Sequence, residues 1–203
     1  MTAHPQLPGK LADGKDLRDV PQSWPVSSSK SIFESAYLSL SIDTIVDPDG
    51  GEHGRTVARP NNAVGILAFD DHDRILLVEQ YRHPMRHRML EIPAGTLDVD
   101  GEGPAAAAER ELAEEADVIA GEWTSILELT ATPGYSTERW QIFRASGLEP
   151  VPDADRTERE AEEADMVQWW VPFNEAVAAS LEGRITDSMT VSAILAAQVL
   201  RGR

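Results

Sequence analysis

Three carboxylates crowd one short stretch of the chain, beside a single arginine. Glu111, Glu114 and Glu115 follow Arg110 closely, in an alanine-rich run that predicts a helix. Residues three and four apart share a helix face, so these side chains repel one another by about 0.2–0.5 kcal/mol per pair. Such a group of oxygen ligands suits a hard divalent cation. The spacing therefore favours a metal site, whereas the common alternative for acidic helix residues is a solvated face.

The residues that precede this helix favour the metal site. Pro93, Ala94 and Gly95 predict a sharp turn, which would bring backbone carbonyls close to a ligand. Pro104 then begins the helix, which we expect over residues 104–116. A turn, a loop and a carboxylate-bearing helix thus follow one another in the order that a cation site needs.

A longer pattern extends on both sides of the glutamates. Its fixed positions are Gly95, Glu102, Arg110, Glu111, Leu112, Glu114, Glu115 and Val118. This pattern resembles the signature of the Nudix hydrolases, G-x5-E-x7-R-E-U-x-E-E-x-G-U, in which U is an apolar residue. Two departures are visible: six residues rather than five separate Gly95 from Glu102, and Asp117 replaces the second glycine. A longer loop costs little, and Asp tolerates the left-handed conformation expected at a helix end.

The resemblance implies a fold and a set of metal ligands. The fold class is α/β, a Nudix-type α/β/α sandwich with a mixed β-sheet and an extra N-terminal β-hairpin. Glu111 and Glu115 are the implied principal ligands of Mg²⁺, or alternatively of Mn²⁺, with Glu114 assisting. The carbonyl of Ala94 is a further implied oxygen ligand. Arg110 is expected to orient the glutamates by charge-assisted hydrogen bonds, so Glu114 and Arg110 also count as catalytic residues.

A catalytic base is expected from outside the helix, because metal ions occupy the helix carboxylates. In the enzymes that this chain resembles, the base lies on a mobile loop before a late strand, which here is 153–163. Glu162 is the first choice and Glu163 the second, since they are nearest that strand. Glu102 is expected to support the site or to bind an outer metal ion.

Features outside the signature narrow the substrate. Arg82 ends a strand that resembles the corresponding strand of ADP-ribose and nucleotide-sugar pyrophosphatases. Pro133 lies fifteen residues after Val118, a spacing similar to that of the ADP-ribose pyrophosphatase subfamily, and Gly134 follows it. Alternative interpretations stay open: Pro-Gly is a common turn, and Arg82 could be an ordinary surface residue. Tyr135 also lies near a position found in diadenosine-polyphosphate hydrolases.

The reaction that this resemblance implies is Mg²⁺-dependent hydrolysis of ADP-ribose to AMP and ribose 5-phosphate. One alternative is a pyrophosphatase that acts on other NDP-sugars or on dinucleoside polyphosphates. The other is a non-catalytic Nudix-like module that binds a nucleotide and regulates a partner. The second alternative is disfavoured because every metal-binding glutamate of the signature is present.

Composition excludes several classes of protein. The chain has 203 residues, enough for one core and a small appended element. Its 35 acidic and 18 basic residues give a net charge of −17, which argues against a nucleic-acid partner. No apolar run is long enough to cross a membrane. The lack of cysteine and of a secretory signal is compatible with a cytoplasmic protein.

The chain divides into three predicted parts. Residues 1–29, rich in proline and serine, predict a flexible arm. Residues 30–60 predict a β element that turns at 47–51, and in the enzymes that the chain resembles such an element forms a homodimer. Residues 61–203 form the predicted Nudix hydrolase domain.

Alternating strands and helices in this last part predict a mixed sheet covered by helices. Thr186 or Asp187 is expected to cap the last helix. The predicted strands are 63–69, 75–81, 123–132, 140–145 and 166–171, and the predicted helices after the signature are 173–182 and 188–201.

Overall fold

The computed structural model describes residues 8–9, 12–159 and 164–202 of the chain. Its helices are Pro104–Ala116 (α1), Phe173–Leu181 (α2) and Ser188–Arg201 (α3). Its strands are Val26–Glu34 (β1), Leu38–Val46 (β2), Glu52–Pro60 (β3), Ala63–Ala68 (β4), Arg74–Arg82 (β5), His87–Glu91 (β6), Ala94–Thr96 (β7), Val118–Thr130 (β8), Arg139–Pro150 (β9) and Val167–Pro172 (β10).

Two small sheets carry the central strands. One has the order β7-β4-β9-β8, in which β4 and β9 are parallel and the other neighbours are antiparallel. The other is antiparallel with the order β10-β5-β6. Helix α1 contacts β4, β7 and β8, whereas α3 contacts β4, β8 and β9. The strands therefore lie between helices, and the mixed sheet predicted from the sequence is confirmed.

Strand β4 shows why the helices lie on two sides. Successive side chains of a strand point to opposite faces. Val64 and Ile66 pack in an apolar cluster with Leu112 of α1. Leu67, on the other face, packs in a second cluster with Ile194 of α3. The chain thus buries two apolar layers, one on each side of β4, which is the predicted α/β/α sandwich. Within the described ranges, no helix is both long and apolar enough to span a membrane.

The N-terminal sheet has three strands, in the order β1-β2-β3. Strands β2 and β3 form the expected hairpin, in which Val46 pairs with Glu52 across the turn. The prediction of a hairpin alone was incomplete, because β1 pairs with β2 and begins at Val26, inside the range expected to be an arm. The serine-rich first half of β1 lacks the apolar alternation that would predict a strand. The side chain of Ser29 donates a hydrogen bond across the pair to Asp43, at 2.5 Å.

Asp43 holds the three strands together through polar contacts. Its carboxylate accepts hydrogen bonds from Ser29, from Ser41 at 2.9 Å and from Arg59 at 2.8 Å. These bonds, with Ser29 first, hold the pKa of Asp43 below its ordinary value, against the opposing effect of desolvation. The sheet therefore has an ionised carboxylate at its centre, bound by one residue from each neighbouring strand.

Helices α1 and α3 begin and end at the residues that the capping residues in the sequence predicted. Helix α1 begins at Pro104 and ends at Ala116, and its C-cap Asp117 has the expected left-handed conformation with φ 53°. For α3 the structure selects Asp187, whose side chain accepts a hydrogen bond from the Thr190 N–H at 2.8 Å. Strands β8 and β9 are longer than predicted, because their pairing continues past Ala120 to Val118.

Thr190 fixes α3 against the segment that leads into β7. It is fully buried, and its Oγ1 accepts a hydrogen bond from the Ile92 N–H at 2.9 Å. Thr190→Val keeps the shape of the side chain but leaves that N–H unpaired, so we expect a loss of about 1–3 kcal/mol in the free energy of unfolding. Urea denaturation measures it.

The control for this prediction is Thr190→Ser, which keeps the accepting oxygen. It removes only one buried methyl group, so the expected loss is smaller, about 1 kcal/mol. A larger loss for the serine variant than for the valine variant would contradict the role of the hydrogen bond.

Candidate active site

Helix α1 presents two glutamates to the short strand β7. Glu115 is only 5% exposed, and its Oε2 accepts a hydrogen bond from the Ala94 N–H at 2.9 Å. The carboxylate of Glu111 lies directly against Gly95, since a Cβ built on Gly95 would be 1.8 Å from the Glu111 Cδ. The structure therefore brings Glu111, Glu115 and Ala94 together at the junction of helix and strand.

Gly95 is not part of a sharp turn. It pairs with Val64 inside β7, and its φ is not positive. The expectation of a glycine turn at Ala94-Gly95 was therefore wrong. The residue has to be glycine for a different reason, because the side chain of Glu111 occupies the space that any Cβ would need. The close approach of helix and strand depends on it.

Arg110 binds three of the neighbouring carboxylates. Its guanidinium donates to both oxygens of Glu102, at 3.1 and 3.0 Å. The same group donates to Glu111 at 2.7 Å and to Glu114 at 3.1 Å. These bonds, led by that to Glu102, raise the pKa of Arg110, and they hold the pKa of Glu102 below its ordinary value. Arg110 thus offsets the mutual repulsion of the carboxylates and fixes their positions.

The donor set at this junction fits a hard divalent cation. Glu111 and Glu115 supply carboxylate oxygens beside the backbone of Ala94, and oxygen is the ligand that Mg²⁺ prefers. Glu114 is more exposed than these two glutamates. Among the residues that the structure describes, no three acidic or histidine side chains form a ready-made metal cluster. Glu162 and Glu163, predicted as the base, lie outside the described residues.

Arg82 forms a second charged pair near the same strand. Its Nε donates to both oxygens of Glu91, at 2.9 and 3.1 Å, and its Nη2 donates to Oε2 at 2.5 Å. Glu91 is 5% exposed and also accepts a hydrogen bond from Gln80 at 3.4 Å. Hydrogen bonding to Glu91 raises the pKa of Arg82, against desolvation. The bidentate pair holds the guanidinium in one orientation.

A cavity of about 620 Å³ extends from this pair to strand β7, and its lining does not include Glu111 or Glu115. Arg82 and Glu91 line one part of its wall, and Ala94 and Gly95 line another. Its volume is in the range of a small-molecule site. The other described residues of its wall are Ala63, Pro84, Met85, Met89, Ile92, Thr96, Glu138, Trp140, Thr186, Asp187, Ser188 and Met189.

Pro133 and Gly134 lie outside the lining of this cavity. They belong to an exposed turn, in which the Tyr135 N–H donates to the Thr132 carbonyl at 3.1 Å. The carbonyl of Tyr135 accepts a hydrogen bond from the Ala58 N–H of β3 at 2.8 Å. The turn therefore joins the N-terminal sheet to the rest of the chain, and its predicted contact with substrate stays a prediction.

Sequence reasoning missed Glu91, Glu138 and Asp187 as residues of the cavity wall. Only Glu91 carried a local signal, since a carboxylate between the apolar residues Leu90 and Ile92 indicates a buried, paired charge. Glu138 accepts a hydrogen bond from the Trp140 indole at 2.8 Å. These residues reach the cavity through the packing of separate elements.

Comparison with known proteins places the chain in a family. Residues 59–189 match the model of the NUDIX domain. The chain belongs to the Nudix family. It is a Nudix hydrolase related to ADP-ribose pyrophosphatases, and Nudix hydrolases generally use divalent metal ions.

Two relatives and one solved structure show the extent of the similarity. An ADP-ribose pyrophosphatase of Mycobacterium tuberculosis is 40% identical over 83% of this chain and 80% of that protein. A methanol dehydrogenase activator of Bacillus methanolicus is 32% identical over 92% of this chain and 93% of that protein. A crystal structure of an ADP compounds hydrolase superimposes with a TM-score of 0.74 at 21% identity, covering 91% of this chain and 98% of that one. At 21% identity, this structural similarity shows that the two proteins share a fold.

Gly95 of the Nudix signature gives a direct test of the junction. In Gly95→Ala the new Cβ would lie 1.8 Å from the Glu111 Cδ, so the carboxylate must move. Displacing a ligand of this kind should weaken Mn²⁺ binding by about 10- to 100-fold, measured by titration calorimetry.

The matched control is Gly54→Ala in strand β3. There the nearest atom to the new Cβ is the Ile42 Cγ2, at an ordinary 3.8 Å. Mn²⁺ affinity should stay as in the wild type. Unchanged affinity in Gly95→Ala would show that the Glu111 carboxylate is not a ligand.

Proposed function

We propose that this Nudix hydrolase cleaves the pyrophosphate of ADP-ribose to AMP and ribose 5-phosphate, with Mg²⁺ or alternatively Mn²⁺. The observation that carries the proposal is one cavity that is lined both by Arg82 and by Ala94 and Gly95. A charged diphosphate in this cavity would contact the guanidinium and lie against β7. Ala94 and Gly95 of β7 in turn contact the carboxylates of Glu115 and Glu111. The relation to an ADP-ribose pyrophosphatase over most of both chains supports the substrate.

The reaction is a hydrolysis at phosphorus. A water oxygen bonds to one phosphorus, the bridging P–O bond breaks, and the bridging oxygen leaves with the other phosphate. The protons lost in this exchange pass to a base and to solvent. The chemistry that bound Mg²⁺ supplies is neutralisation of the phosphate oxygens and acidification of water. Glu111, Glu115 and the carbonyl of Ala94 would hold it, with Glu114 assisting.

Other side chains of the chain position the substrate and the ligands. The Arg82 guanidinium, fixed by Glu91, would bind phosphate oxygens. Arg110 keeps Glu111 and Glu114 in place. Contact of the Pro133-Gly134 turn with substrate stays a prediction from the sequence.

The base is proposed from the sequence. Glu162, and next Glu163, stay the proposed residues because a carboxylate is needed that is not occupied by metal. Their position before β10, which pairs with β5, is the sequence argument for the choice.

The reaction can be tested with purified protein and ADP-ribose. With Mg²⁺ the wild type should release AMP, measured by chromatography, and a chelator should stop the release. Glu115→Gln removes one buried carboxylate of the junction, so kcat should fall about a hundredfold or more. Glu109→Gln, an exposed residue of the same helix, is the control and should keep the wild-type rate.

The same assay separates the alternatives. Equal turnover of several NDP-sugars or of dinucleoside polyphosphates would contradict the ADP-ribose assignment and favour a broader pyrophosphatase. Binding of ADP-ribose in calorimetry without any release of AMP would favour the regulatory module. Neither alternative is favoured by a specific contact in the cavity.

The N-terminal sheet supports the proposed homodimer. Phe33 is 54% exposed and Ile42 is 41% exposed. Phe33 pairs with Leu40, two residues from Ile42, so both exposed side chains lie on one face. An apolar face on a thin sheet fits burial against a second copy. We therefore propose residues 30–60 as the dimerisation element, 61–203 as the catalytic domain and 1–29 as an N-terminal arm.

Sedimentation equilibrium tests the dimer. The wild type should show twice the 22.2 kDa of one chain, and Phe33→Asp should shift the population towards the single-chain mass. Leu181→Asp changes an apolar residue on α2 that is 72% exposed, more than Phe33, and should leave the dimer intact. A wild type that sediments as one chain would rule out the assembly. A cytoplasmic location and the absence of a nucleic-acid partner stay predictions from the sequence.

A further inference from the structure

The residue that follows the last turn of α1 is Asp117, at a position where the backbone conformation favours glycine. Asp117 has φ 53° and ψ 34°, a left-handed conformation in which glycine is less strained. Its N–H donates to the Ala113 carbonyl at 3.1 Å, so the backbone geometry of a helix end is kept. The carboxylate adds nothing to that backbone bond. A specific contact of the side chain therefore has to offset the strain.

That contact is with Arg159. The Nη2 of Arg159 donates to Oδ2 of Asp117, and its Nε donates to the Glu114 carbonyl at 2.9 Å. Both side chains are about four-fifths shielded from solvent, at 21% and 22% exposure, which strengthens a charge pair relative to one on an open surface. Arg156 lies farther away, with its Nε 3.9 Å from Oδ1 of Asp117. One guanidinium thus binds both the helix end and a carbonyl inside its last turn.

The contact lies where the connection between β9 and β10 meets α1. The Val151 N–H donates to the Asp117 carbonyl at 2.9 Å, near the start of this connection. At its other end, the Gln168 side chain donates to the Glu115 carbonyl at 3.4 Å. The carbonyls of Glu114 and Glu115 would otherwise have no partner within the helix. Both flanks of the connection are therefore bound to the turn that carries these two glutamates.

We propose that Asp117 and Arg159 form a clasp that positions the catalytic site. The clasp holds residues 151–159, the first part of the β9–β10 connection, on the last turn of α1 and thereby keeps the Glu114 and Glu115 side chains aligned with β7. Helix ends fray unless their terminal carbonyls are bound, so loss of the clasp loosens the turn from which Glu115 reaches Ala94. Asp117 and Arg159 are positioning residues, because they act through their contacts with each other and with the last turn of α1. The role in catalysis rests on the proposed hydrolysis.

Asp117→Gly is the decisive variant, because it removes the carboxylate and relieves the backbone strain. The midpoint of thermal unfolding should stay the same or rise. In contrast, kcat for ADP-ribose should fall about tenfold, as expected for a lost charge-assisted contact, while KM changes less than about twofold. A residue with a purely structural role would not lower kcat while stability is maintained. Asp153→Asn, an exposed carboxylate of the same connection, is the matched control and should leave both quantities unchanged.

Limited proteolysis tests the clasp without measuring catalytic activity. Trypsin cleaves after arginine, and a residue is cut faster when its segment is released from the fold. Cleavage after Arg159 should therefore be faster in Asp117→Gly than in the wild type and in Asp153→Asn, as mass spectrometry of the fragments would show. Equal cleavage in all three proteins overturns the clasp.

A double-mutant cycle tests whether the two residues act together. Arg159→Gln should lower kcat in the wild type and have a smaller further effect in the Asp117→Gly background, where only the bond to the Glu114 carbonyl is left to lose. Independent, additive losses would overturn the proposed pairing. Arg159→Lys keeps the charge but lacks the two donors that reach Asp117 and the Glu114 carbonyl together, so its kcat should lie between those of the wild type and Arg159→Gln.

The outcomes separate this proposal from the hydrolysis itself. A wild type that leaves ADP-ribose intact overturns the proposed function, and the proteolysis still decides whether the clasp holds the connection. An active wild type with unchanged kcat in Asp117→Gly overturns the positioning role and leaves the proposed function in place.

Discussion

The close approach of helix α1 to strand β7 is the contact on which the site depends. The carboxylate of Glu111 occupies the space next to Gly95 that any Cβ would fill, and Glu115 binds the Ala94 N–H one residue earlier. This approach is possible because Leu112, on the buried side of the helix, packs against β4. Packing in the apolar layer thus sets the distance between the helix and the sheet, and the glycine leaves room for the two carboxylates to reach β7.

Charge pairing is the second constraint on this acidic protein. The Arg110 guanidinium donates hydrogen bonds to Glu102, Glu111 and Glu114 at the same time. These bonds offset the electrostatic repulsion among carboxylates that lie close together on and beside the helix. Arg82 is held in the same way by the buried Glu91. Each arginine is therefore oriented before any ligand arrives. This arrangement reduces the entropy that binding a charged substrate would otherwise cost.

The N-terminal sheet shows the limits of pattern reasoning. Its hairpin was predictable from the turn at 47–51, which is a local signal. The first half of strand β1 was not, because Ser27 to Ser31 contain no apolar residue. This segment pairs with β2 through contacts such as that of Ser29 with Asp43. The same limit applies to Gly95, whose sequence neighbours are typical of a turn, although the residue lies in a strand. Tertiary packing decided both cases.

The sequence alone determined the parts that depend on local chemistry. The limits of α1 and α3, the left-handed end at Asp117 and the shared face of Glu111 and Glu115 all follow from capping residues and helical spacing. Only the tertiary structure decided which distant residues share one cavity. Arg82 and Glu91 lie on its wall and the Pro133-Gly134 turn does not, because sheet register and packing of separate elements set those distances. No short stretch of sequence contains that information.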